Sequence, residues 1–189
     1  MIRSTFRLLV PTALLLVPCL LAADEPADKT ADVKVKDITL KVPSTWKQEE
    51  PSNKLRLAQF AIPKAEGDKE ATSLVISSFP GGGGVDQNLP RWVGEFSPDG
   101  RSMKMTSGKS KQGEYVVVDL KGTHIGTSFA RRPEPLPGAR MLAVLLKTDD
   151  DSYYFKLVGP EKSVAAQAEA LRGALGVSSK DEKEYKLEK

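Results

Sequence analysis

Cysteine and histidine are almost missing from this chain: among 189 residues there is one of each, Cys19 and His124. A zinc site built from Cys and His needs several such ligands, and a lone thiol forms no internal disulfide, so both ways of holding a fold together are excluded. A charge excess is missing as well. The formal net charge is +3, from 28 Lys and Arg against 25 Asp and Glu, and two of the bases, Arg3 and Arg7, lie in an N-terminal segment that holds no acid. Without residues 1–23 the balance is 26 against 25, which is not the basic surface that nucleic acid or an anionic membrane selects. Finally, the apolar stretch at 8–21 is short of the roughly 20 residues a membrane span requires, and Pro11 and Pro18 interrupt it.

What that segment does contain is a secretory signature: a basic start, an apolar middle, and the small residues Ala22 and Ala23 before the acidic pair Asp24 and Glu25. The expectation is a signal peptide at 1–23 and a protein exported to the periplasm or beyond the cell, with no stable membrane span after cleavage. Cleavage after Ala22 or Ala23 discards Cys19 and leaves a thiol-free chain of about 166 residues. Lipidation at Cys19 is disfavoured because Pro18 stands where a lipidation signal wants a small residue. With no disulfide available, stability has to come from a core.

Residues 24–36 are polar and charged and suggest a tether, and 179–189 suggest a charged tail, eight of the last ten residues being ionic. Between them, 37–178 has the length of one domain. Ile38, Leu40 and Val42 alternate with polar residues and predict a strand ending at Pro43, with Trp46 beyond it at a core edge. Residues 55–62 predict a second strand, with a bulge where the apolar parity changes after Leu57, and 71–79 a third, closed by Pro80 and four glycines. Leu89, Trp92, Val93 and Phe96 recur at helical spacing, with Asp86 or Asn88 as cap and Pro90 in the first turn. A hairpin at 103–109 and 114–121, a proline-rich insertion at 122–138, a second hairpin at 140–147 and 152–158, and a helix over 160–175 ended by Gly176 complete the pattern. The run from Met141 to Leu146 is apolar on both faces, which places it at the centre of a sheet covered on both sides. The fold class expected is α+β: a mostly antiparallel sheet of about six or seven strands covered by two helices.

Three segments, ITLKVPSTW at the start, SSFPGGGGVDQNLPRWVGEF in the middle and ARMLAVLLKTDDDSYYFKLVGP late in the chain, together with the element order, resemble small exported bacterial proteins with the PsbP-type α/β/α sandwich. The same fold occurs in extrinsic subunits of the oxygen-evolving photosystem and in a Ran-binding nuclear import factor. The resemblance spans 36–178 and implies a protein-binding accessory role. It carries over no catalytic residue, and fold likeness alone does not assign function.

Few constellations here promise chemistry. The glycines Gly81, Gly82, Gly83 and Gly84 precede a helix, whose N-terminal amides can hold an anion, with Asn88 and Arg91 in that helix. The Lys and Ser or Thr of a nucleotide loop do not follow, and the simpler reading is a flexible connection over the sheet. Gly126-Thr127-Ser128-Phe129-Ala130 superficially has the form of a nucleophile elbow near His124 and Asp119, but Arg131-Arg132-Pro133 follows where a helix is required. Asp149, Asp150 and Asp151 are adjacent, not alternate, and mark a solvated turn better than a calcium loop. Arg131, Arg132 and Arg140 bracket the proline-rich insertion as a second candidate surface. The sequence therefore supports an exported, non-enzymatic binding or accessory protein that meets an unknown protein partner in the cell envelope through the glycine loop or the insertion. The alternative is a small-ligand or anion-binding module at Gly81–Gly84, Asn88 and Arg91. No catalytic residue, metal or cofactor is expected.

Overall fold

In the computed structural model, residues 29–79, 81–127 and 131–187 are described, Arg131 by its backbone alone. Strand β8, Arg131–Lys147, contains the twice-apolar run and lies inside an eight-stranded antiparallel sheet between β7, Gly113–Gly126, and β9, Ser152–Pro160. Met141, Leu142, Ala143, Val144 and Leu146 are all essentially inaccessible, as a strand covered on both faces must be. From one edge to the other the order is β10 (Lys183–Glu184), β6 (Ser102–Ser110), β7, β8, β9, β5 (Thr72–Ser78), β4 (Ala58–Ile62) and β3 (Lys47–Glu49).

Helix α2, Glu161–Ala174, lies on one face, joined there by a separate hairpin of β1, Thr30–Val35, and β2, Ile38–Pro43. Val164, Ala168, Leu171 and Leu175 meet Leu40, Val42, Phe60, Leu142, Val144 and Phe155 in that layer. Helix α1, Val85–Val93, covers the other face, where Leu89, Trp92 and Phe96 pack on Val118, Leu120, Met141, Leu145 and Tyr154. Tyr153 and Phe155 thus point into one layer and Tyr154 into the other, as strand alternation requires.

Several boundaries differ from the sequence reading. Residues 30–35, assigned to the tether, form β1 because Val33 and Val35 alternate and Val35 is buried against the layer of α2, while Lys36 makes the turn in the left-handed region at φ 57°. The charged tail is likewise structured. A 3-10 turn at Ser179–Asp181 leads into β10, which pairs with Thr106 and Ser107, and Glu182 anchors it. The second strand begins at Ala58, not at 55: Leu55 and Leu57 are exposed, so the parity change marks a strand start and no bulge is needed. The proline-rich 122–138 is mostly a continuation of β7 and β8, with register shifts at Gly122/His124 and His124/Gly126. Pro133, Pro135 and Pro137 fall where the pairing with β7 is irregular and after β9 has ended its own at Ala139, so their missing N–H groups interrupt no regular ladder. Gly122 takes φ +145°, and a Cβ there would stand 3.2 Å from the Arg101 Cα. Helix α1 starts at Val85, so Pro90 is inside it beyond the first turn, and its N-cap Gly84 receives no side-chain cap from Asp86 or Asn88.

Candidate functional site

The glycine loop, Asn88 and Arg91 do come together, but in a structural network. Asn88 Nδ2 donates to the carbonyls of Gly82 and Gly84, at 3.1 and 2.9 Å, and its Oδ1 accepts from Arg91 Nη2 at 2.8 Å. Burial pushes the Tyr154 hydroxyl pKa up, keeping it a donor, and it donates to the Gly83 carbonyl at 2.9 Å. A Cβ on Gly82 would lie 2.4 Å from that hydroxyl oxygen, so glycine is required for close approach. Arg132 is elsewhere, bonded to Glu70 and to the Glu134 carbonyl. Arg140 is bidentate to Asp119. Asp119 sits on the face of α2, whereas His124 packs edge-on to Phe96 beside α1, so those two members of the imagined triad are on opposite sides of the sheet. Ser128 lies outside the described residues, as do the signal segment and Cys19. Asp151 is committed to Lys36 and to the Ser78 hydroxyl.

Beside the glycine loop the α1 face carries a groove of about 190 Å³. The loop before β4 supplies Arg56, α1 supplies Arg91 and Trp92, and β9 supplies Tyr154 and Lys156, with Phe79 just past the end of β5. Phe79, Trp92 and Tyr154 make a continuous aromatic floor, the ring of Tyr154 lying 5.8 Å from Phe79 and 6.5 Å from Trp92. No Asp or Glu is among the groove's described lining residues. Arg56 and Arg91 are held by neutral partners, the Gln59 and Asn88 side-chain oxygens, at 2.6 and 2.8 Å. Among the described residues neither has an ion-pair partner, so their charges are oriented without being neutralised there, and each guanidinium, with five N–H donors, keeps others for a ligand.

Lys156 differs. Its ammonium donates at 2.9 Å to both oxygens of Glu95, a side chain 2% exposed, and two of its three N–H groups are thereby used. His124 Nε2 lies 3.4 Å from the same carboxylate, while its Nδ1 is buried without a partner among the described residues. Burial by itself pushes the Glu95 pKa up. The hydrogen bond with His124 and the charge of Lys156 outweigh that and hold it below the usual 4.5. The backbone places the acid: Ile125 N–H donates to the Glu95 carbonyl at 2.8 Å, stitching the end of α1 to β7.

Sequence reasoning found Arg91 and missed Arg56, Glu95, Lys156 and the aromatic floor. One signal was present. Lys156 alternates with Phe155 and Leu157 and so shares a face with Tyr154, an inward position where a lysine calls for a partner.

The larger cavity, of about 730 Å³, lies at the opposite edge, where Arg172 bonds Glu182 and Arg140 bonds Asp119. Its two arginines are thus paired with acids of the same lining.

The class of protein so defined is an α+β sandwich with both faces of its sheet covered and an aromatic-floored cationic groove on one of them. Searches against protein-family descriptions and against curated proteins find no match. Among solved structures, the sandwich is similar to a Pseudomonas aeruginosa protein of unknown function, PA94, at 15% identity and TM-score 0.43, covering 77% of this chain and 92% of that one. It is also similar to the cyanobacterial PsbP of Synechocystis, at 14% identity and TM-score 0.43, covering 78% of this chain and 86% of that one. Both likenesses are of the arrangement of elements and no more.

Proposed function

We propose that the chain is an exported, non-catalytic binding protein that recognises an anionic group through the groove on the α1 face. One observation carries the reading: Arg56, Arg91 and Lys156 line a single aromatic-floored cavity in which no described lining residue is an acid. Charged groups facing a partly desolvated cleft raise the local concentration of opposite charge and strengthen its hydrogen bonds. The signature at 1–23 supports export, and the cell envelope is where the ligand or a ligand-bearing partner would be met.

This reading places recognition in the groove and not on the loops named by sequence; there Asn88 and Tyr154 bond the carbonyls of Gly82, Gly83 and Gly84, and Arg132 pairs with Glu70. Non-catalytic binding is also consistent with the buried Glu95, His124 and Lys156 group, whose members hold one another.

The test is an NMR titration of the mature protein with a panel of organic and inorganic anions. Anion-dependent shifts at the backbone amides of Arg56, Phe79 and Arg91, lost in Arg56→Gln/Arg91→Gln, are expected. Shifts confined to other surfaces, or no shifts at all, reject the reading.

A further inference from the structure

We infer that the ligand is a small aromatic monocarboxylic acid, whose carboxylate is held between Arg56 and Arg91 and whose ring lies on Phe79, Trp92 and Tyr154. This rests on the groove being the recognition site and adds the chemistry of what enters it. Two features of the lining carry it. The first is the number of uncompensated charges. Lys156 is largely spent on Glu95, so the two guanidiniums, each fixed by a neutral side-chain oxygen, are the groups left to meet an anion. Planar guanidiniums match the two in-plane oxygens of a carboxylate.

The second feature is the floor. Phe79 and Tyr154 are 5.8 Å apart and tilted by 46°, and Trp92 stands edge-on to Tyr154 at 65°. Rings so disposed favour an aromatic guest in offset or edge contact, and Val75 and Leu55 extend the apolar wall. Leu55 is 64% exposed, an apolar side chain at the rim that a ring-bearing ligand would cover. Trp92 and Tyr154 are nearly buried and offer only their edges, so the apolar surface that a bare inorganic anion would leave in water is that of Leu55, Val75 and Phe79. The cavity, at about 190 Å³, matches one ring with a short acid arm. The glycine loop adds precision: Asn88 is braced by the Gly82 and Gly84 carbonyls and in turn orients Arg91, so the loop positions the guanidinium without touching the ligand.

Isothermal titration of the mature protein with phenylacetate and indole-3-acetate, against acetate, sulfate and the two corresponding neutral amides, tests the assignment. Both aromatic acids are expected to bind at least tenfold more tightly than acetate or sulfate. Arg56→Gln and Arg91→Gln are each expected to weaken them about tenfold, Arg132→Gln leaving affinity unchanged, with thermal melting confirming that the variants fold. If sulfate or acetate binds as tightly as the aromatic acids with the same dependence on both arginines, the aromatic assignment falls while the anion groove stands. If the neutral amides bind as well as the acids, the carboxylate assignment falls. If a peptide ending in phenylalanine binds and the free acids do not, the small-acid assignment is replaced by a chain terminus. If no anion binds at millimolar concentration, the groove reading falls with it.

Discussion

Lys156 Nζ stands 2.9 Å from each oxygen of Glu95, tying β9 to the segment that follows α1 across the face the helix covers. Glu95 is almost wholly buried, and breaking such a pair strands a charge instead of merely deleting a contact. Glu95→Gln is expected to lower stability by about 3 kcal/mol, read from urea denaturation.

The same carboxylate sets an acid limit. Its pKa is depressed in the folded chain, so on acidification the unfolded chain takes up the proton first. The stability it contributes is complete above the usual value near 4.5 and is lost as pH falls through the lower folded value. The slope of unfolding free energy against pH below that point is expected to flatten in Glu95→Gln. An unchanged slope would assign the acid sensitivity to other carboxylates.

The C-terminal segment, paired along β6, is anchored by the side chain of Glu182. The Glu182 side chain is 3% exposed and accepts from Arg172 Nε at 2.6 Å, Arg172 Nη2 at 3.1 Å and the Thr106 hydroxyl at 2.6 Å. Glu182→Ala leaves the buried Arg172 without its main counter-charge. A loss of about 3 kcal/mol is expected, with faster amide hydrogen exchange at Tyr185, which bonds the Met105 carbonyl, and little change in α1.

At the glycine loop, Gly82→Ala drives a methyl onto the Tyr154 hydroxyl and the Phe79 carbonyl, which lie 2.4 and 2.9 Å from the ideal Cβ. A cost of about 2 kcal/mol is expected by thermal melting. Tyr154→Phe, which removes only the donor to Gly83, is expected to cost about 1 kcal/mol. If Gly82→Ala costs no more than Tyr154→Phe, the loop is looser than this packing implies.

Leu142, inaccessible at the centre of the sheet, contacts the layer beneath α2. Leu142→Ala is expected to cost about 3 to 4 kcal/mol in chemical denaturation, the range for a cavity in a well-packed core. A change below 1 kcal/mol would mean that β8 is not the central strand.

The α+β class, the two covering helices and the central place of 141–146 were legible in the sequence because each follows from a local period: alternation in Ile38–Val42, a helical stripe from Leu89 to Phe96, and an unbroken apolar run in β8. Such patterns record burial directly, since a residue's exposure depends on the face its own backbone presents. What only the tertiary structure decided were the features that depend on distant partners. Thr30–Val35 and Lys183–Glu184 look like solvated charge until β2 and β6 pair with them, and 122–138 looks like a loop until β7 and β8 extend together. The groove is the sharpest case. Arg56, Arg91 and Lys156 are widely separated along the chain, the two arginines read as ordinary surface bases and Lys156 signals only an unnamed partner, and only the sheet order β9-β5-β4 beneath α1 brings their charges to one aromatic floor. Charge meeting charge across a fold leaves no period in the sequence, because proximity there is set by strand order and not by spacing.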